Sequence, residues 1–168
     1  MQTKLCSLLL VTLCVVSTVK AQERLDTPRP IAARHSTSLE ELTWMEVRDR
    51  LLANDTTVIV ASGGVEANGP YTVLGKHNLL TEQTVRQIAE RLGNTLVAPV
   101  IRFVPEGDIS PPTLHMRYPG TLTVREETYR AVVRESCLSL AQHGFNNIVL
   151  LGDSYGNQLG MRDVAAEL

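Results

Sequence analysis

Residues 57–78 read TVIVASGGVEANGPYTVLGKHN. The opening run, Thr57-Val58-Ile59-Val60-Ala61, is β-branched, too short for a helix and apolar toward both sides. That pattern predicts a central strand of a parallel sheet covered on both faces. A Gly-rich loop follows, Ser62 to Asn78, carrying Glu66, Asn68, Tyr71, Lys76 and His77. It has no G-K-[ST] at phosphate-binding spacing, so it is not a P-loop.

Working outward, the same punctuation recurs. Thr43-Trp44-Met45-Glu46 spells a capping box and predicts a helix to about Ala53, with Trp44, Val47 and Leu51 on one face. Leu79 to Leu92 is amphipathic through Val85, Ile88, Ala89 and Leu92, and Gly93-Asn94 ends it. Thr95 to Ile101 predicts a second strand, and Gly120 to Val124 a short one. Arg125 to His143 repeats Tyr129, Val132, Val133, Ser136, Cys137, Leu140 and Ala141 at helical spacing, closed by Gly144. Ile148 to Leu151 is another buried strand, and Asn157 to Leu168 a last helix with Asn157 as its N-cap. Strands alternating with helices predict an α/β fold, a mostly parallel sheet with helices on both faces. Ligands in such sheets bind beyond the carboxyl ends of the strands. The loops 62–78 and 152–157 are therefore where chemistry is expected.

The chain has 168 residues, room for one ordinary domain. Met1 to Lys4 is a short basic start, Leu5 to Thr18 is apolar or small, and Val19-Lys20-Ala21 suits a cleavage site. We expect a signal peptide over 1–21, a linker over 22–37 and the α/β domain over 38–168, in an exported protein, periplasmic or secreted. An apolar run of about 14 residues is short for a membrane span, so no membrane association is expected after cleavage. Only Cys137 lies beyond the signal, which excludes an intramolecular disulfide there. Cys137 itself reads as core. Without Lys4 and Lys20, 14 of the 16 basic residues face 18 acidic ones, and no basic stripe points to nucleic acid.

Residues 152–156, Gly-Asp-Ser-Tyr-Gly, fit the G-x-S-x-G nucleophile elbow. In that architecture the acid and the histidine both follow the serine. All four histidines, His35, His77, His115 and His143, precede Ser154. A serine triad is a third-ranked reading. Glu66 and His77 at a strand end could bind a divalent metal or serve as loop hydrogen-bonders. His115, held between prolines in PPTLHMRYPGT, could donate to a reacting group or tie the loop down. His143 suits a helix C-terminus.

Taken in order, GGVEANGPYTVLGKHN, LVAPVIRFVPEGD, HMRYPGTLTV and HGFNNIVLLGDSYGN resemble the creatininase family over about 42–168. The resemblance implies an α/β domain, a divalent metal (zinc or manganese) at the strand ends and hydrolysis of a C–N bond in a small cyclic or simple amide. It also implies a homo-oligomer. The family's first motif, G-S-x-E-Q-H-G-P-H-L-P-L-G-T-D, places ligands where Glu66, Asn68 and His77 stand here. Its later motif, N-G-H-G-G-N or N-G-H-Y-E-N, places Ser154 at a ligand histidine and Gly156 at a ligand glutamate. His115 with Pro119-Gly120-Thr121 matches H-x-x-[FY]-P-G-T. The expected metal set is therefore Glu66, His77 and Asp153, with His115 and Glu66 catalytic and Asn68, Tyr71, Ser154 and Asn157 toward substrate. The alternative is a non-catalytic ligand-binding or assembly protein on the same scaffold. Family chains continue well past this point, so the sequence reads as C-terminally short.

Overall fold

The structure, a computed structural model, describes residues 24–168. The expected signal peptide falls outside the described residues. The described residues fall into two compact units, 24–30 and Ile31–Leu168. In the first, Arg24 pairs with Asp26 at 2.9 Å around a turn.

In the second unit, three strands form one parallel sheet in the order β2-β1-β3: β1 is Thr57–Ser62, β2 Thr95–Val97 and β3 Asn147–Gly152. Thr57 aligns with both Thr95 and Asn147, and Ser62 aligns with Gly152. The four helices are α1 (Trp44–Leu52), α2 (Lys76–Leu92), α3 (Glu126–Gln142) and α4 (Tyr155–Glu167). From Val58 to Ser62, β1 is buried throughout. Its side chains alternate between faces. Ile59 and Ala61 pack with Val85 and Ala89 of α2. Val58 and Val60 pack with Leu96 and Phe145, beside Val47 and Leu51 of α1. Next to that layer, Tyr129, Val133 and Cys137 of α3 meet Met161 and Val164 of α4. Helices thus cover both faces, which is why β1 lacks polar alternation.

The α1 capping box forms on both sides: Thr43 Oγ1 accepts from the Glu46 backbone and the Glu46 carboxylate from the Thr43 backbone. Glu46 also accepts from the Arg34 backbone at 2.6 Å. These bonds, the Thr43 backbone first, hold its pKa down at about 2. Trp44, expected on the apolar face, is exposed with the Arg48 guanidinium 5.4 Å from its ring centroid; Met45 is buried instead.

Other boundaries depart from expectation for backbone reasons. Strand β2 stops at Val97 because Pro99 has no N–H to give the ladder. The chain still runs beside β1, where the Ile101 N–H donates to the Ala61 carbonyl at 2.8 Å. The strand expected over 120–124 does not form. Leu122 makes one antiparallel bridge to Val65, and the Thr121 and Thr123 hydroxyls are spent on the backbone of Ala67 and Glu106. Helix α4 begins at Tyr155, so Ser154 takes the cap position and Asn157 lies in the first turn. Helix α2 begins at Lys76, so His77 rides on a helix and not a free loop. No helix among the described residues is long and apolar enough to cross a membrane.

Candidate active site

Two glycines let the loop after β1 fold back on α2. A Cβ on Gly63 would fall 2.2 Å from Asn78 Oδ1 and 2.9 Å from the Asn78 backbone. Gly64, at φ +158°, donates its N–H to Asn78 Oδ1 at 2.9 Å, and its missing Cβ leaves room for Glu106 Oε1. This brings the first turn of α2 under the loop and sets His77 against Glu66.

Glu66 is the hub. Its Oε1 lies 2.6 Å from His77 Nε2 and accepts from Asn68 Nδ2 at 3.1 Å. Its Oε2 lies 3.1 Å from His115 Nε2. His77 Nδ1 reaches Asp153 Oδ2 at 2.7 Å, so one imidazole joins the loop after β1 to the loop after β3. Both ring nitrogens of His77 face carboxylate oxygens, which accept only; both contacts are hydrogen bonds when both nitrogens carry hydrogen. His115 Nδ1 donates to the Ala67 carbonyl at 2.9 Å, which turns Nε2 toward Glu66.

Sequence reasoning missed Glu106. It is buried, and its Oε1 has no hydrogen-bond partner. Burial, then the hydrogen bond to Glu66 and the charge there, push its pKa up to about 9. Burial alone would raise Glu66 too. The bonds from Glu106 and Asn68 and the two imidazoles outweigh that and hold Glu66 below the usual carboxylate range. Glu106 thus holds a proton more tightly than Glu66 does. One signal could have found it: Glu106 is an acid between Pro105 and Gly107, directly after an apolar run.

Donor atoms of Glu66, Glu106 and His115 lie within 4.8 Å of one another, close enough to hold one metal ion. Of the expected set, the structure brings Glu66, His77 and Asp153 together, but as a hydrogen-bonded chain. A pocket of about 400 Å³ is lined by these five groups together with Asn68, Ser154 and Tyr155, among others. Asn157 lies beneath it, fully buried, with Nδ2 donating to the Gly63 carbonyl at 2.6 Å. Tyr71 points to solvent at 99% exposure and does not line the pocket.

Residues 40–168 match the family model described as creatinine amidohydrolase. The chain belongs to the creatininase family. Creatinine amidohydrolase from Pseudomonas putida is 28% identical over 119 residues, which are 71% of this chain and 45% of that protein. A crystal structure of creatininase superposes with a TM-score of 0.72 at 25% identity, covering 80% of this chain and 51% of the other. A manganese form of creatininase gives 0.71 at 26%, covering 79% and 51%. A mutant creatininase of Zn–Zn type gives 0.72 at 25%, covering 80% and 51%. This creatininase-family chain therefore has the α/β fold of those structures and spans about half their length.

Proposed function

We propose that this creatininase-family chain hydrolyses a C–N bond of a small cyclic or simple amide, using one divalent ion, zinc or manganese, held by Glu66, Glu106 and His115. The cluster of these three donors carries the reading. The residues suit an ion on three counts. Glu106 Oε1 is a buried oxygen without a partner. A carboxylate pair that must otherwise share a proton gains from a cation in its place. His115 anchors Nδ1 on a carbonyl, as metal-bound histidines do, leaving Nε2 for the ion. Two carboxylates and one imidazole leave room for substrate, the pattern of a catalytic rather than a structural site.

When bound, the ion supplies Lewis-acid activation of an amide carbonyl and of water. The protein does the rest. His77 and Asn68 occupy Glu66 Oε1, which would leave Oε2, on the His115 side, to hold the ion. Asp153, the most exposed acid of the cluster, is held by His77 Nδ1 and placed to accept a proton from water in the pocket. Asn68 and Ser154 line the pocket toward substrate. His77 and Asp153 thus serve behind the ligands and not among them.

Metal analysis of the purified protein tests this. We expect near-stoichiometric zinc or manganese, lost on Glu66→Ala. Metal-free protein, with no Glu66→Ala effect, sinks the enzyme reading and leaves a binding protein. A serine-reactive phosphonate should fail to label Ser154. The basic and apolar pattern of 1–21 supports export, which N-terminal sequencing of the mature chain checks. The edge strand β3, with Val149 44% exposed, supports self-association, which light scattering checks.

A further inference from the structure

The proposed site pocket shares a wall with a larger one. Beside its 400 Å³ lies a cavity of about 870 Å³. Asn68, Leu114 and His115 belong to both linings. The far side is built from Pro70, Leu74, Tyr118 and Pro119. Among the described residues, no Asp, Glu, Lys or Arg side chain lines it. Its polarity is confined to Asn68, Thr72, His115 and the Tyr118 hydroxyl. A charged group placed there would meet no charged side chain in the lining, whereas an apolar group would gain burial.

Leu114 marks the boundary, and its conformation is unusual. It sits at φ +45°, the left-handed region that leucine rarely adopts, and is 68% exposed. A leucine that is both strained and water-facing gains nothing for the fold by itself. Strain of this kind gathers at ligand clamps. The turn that imposes it is well tied. Met116 N–H donates to the Thr113 carbonyl and Tyr118 N–H to the His115 carbonyl, each at 3.0 Å. His115 in turn bonds the Ala67 carbonyl. The same tie that aims His115 at Glu66 therefore presents Leu114 between the two pockets.

We propose that the larger cavity is a substrate subsite for a neutral apolar substituent, aryl or branched alkyl, carried next to the scissile C–N bond. Leu114 is its specificity-determining residue. This rests on the reading of the neighbouring pocket as the hydrolytic site. It directs the chain toward amides larger and less polar than a small unsubstituted ring.

The test compares 5-methylhydantoin with 5-benzylhydantoin, two cyclic amides that differ only in the apolar group. Calorimetry gives Kd for each on the zinc-loaded and the metal-free protein, with metal content and turnover read on the same samples. The benzyl compound should bind at least about tenfold tighter, since each buried CH₂ contributes roughly a threefold to fourfold gain. Leu114→Asn, which tolerates a positive φ, should shrink that ratio to about threefold or less. Leu114→Gly should do the same while easing the backbone, and Leu114→Met should keep it. Equal binding of the two hydantoins, or a ratio unchanged in both Leu114→Asn and Leu114→Gly, overturns the inference. Missing metal or turnover with the ratio intact defeats the hydrolytic reading and leaves the apolar subsite standing.

Discussion

The loops that leave β1 and β3 start side by side, where Ser62 aligns with Gly152, yet they are built differently. The first is pinned where it leaves the strand. Gly63 N–H donates to the Ile101 carbonyl at 2.9 Å, Gly64 N–H to Asn78 Oδ1, and Glu66 N–H to the Leu74 carbonyl at 3.1 Å. Its carboxylate, Glu66, is buried. The second enters α4 with no side-chain cap bond from Ser154, and Tyr155 beyond it is exposed. Two side chains fasten it to the first, Asp153 through His77 and Asn157 through the Gly63 carbonyl. The comparison teaches a division of labour. One loop is a rigid frame that fixes charge, and the other is a lighter wall whose position depends on the frame.

The harshest way to break that division is Gly63→Ala. The new methyl would meet the Asn78 backbone, which cannot rotate away, so we expect a loss of about 3 kcal/mol or more. Urea unfolding measures it. Asn157→Ala should cost about 2 kcal/mol, because it strips a buried carbonyl of its partner. Hydrogen exchange should then speed up in the first turn of α4 but not in the 63–66 segment. Exchange quickened equally in both loops would refute the asymmetry. Glu106→Gln keeps the shape and neutrality of the protonated acid, so melting of metal-free protein should barely change. Zinc affinity should nevertheless fall at least about tenfold, as read by competition with a chelating dye. Asp153→Asn should cost about 1 kcal/mol or less, since the pair with His77 is partly open to water. Its larger effect should be on turnover.

The smallest effect lies away from both loops and calibrates the others. Glu46 has its pKa lowered to about 2 from 4.5. A depressed carboxylate stabilises the fold above its unfolded value and loses that contribution as pH falls. Glu46→Gln should therefore lower Tm slightly at pH values above 4.5. The difference from wild type should fade as pH drops toward 2. A difference that persists below that range would mean the capping box does not depend on charge.

Much of this was legible in the linear chain because it depends on local rules. The run 57–61 marks a central strand through its lack of alternation. The capping box at Thr43 marks its helix, and Gly63-Gly64 and Gly152 mark the loops. Family membership was carried by motifs in order. Glu66 and His115 were legible as candidates for the same reason. Trp44 misled because helical spacing places a residue on a face without saying how far the neighbours reach. The cap position fell to Ser154 instead of Asn157 because helix starts depend on one or two bonds. Glu106 was passed over because a single acid in a proline-rich loop has no period and no partner in sequence.

The amino-acid sequence by itself determined the kind of fold, two of the loops that line the candidate site and the family, all of which follow from periodicity, turn chemistry and motif order. Only the tertiary structure decided which side chains meet. Glu66, Glu106 and His115 are separated by 40 and 9 positions along the chain, and converge because parallel strands deliver their carboxyl ends to one edge. There, two buried carboxylates and an imidazole face one another, a meeting that no stretch of residues could announce.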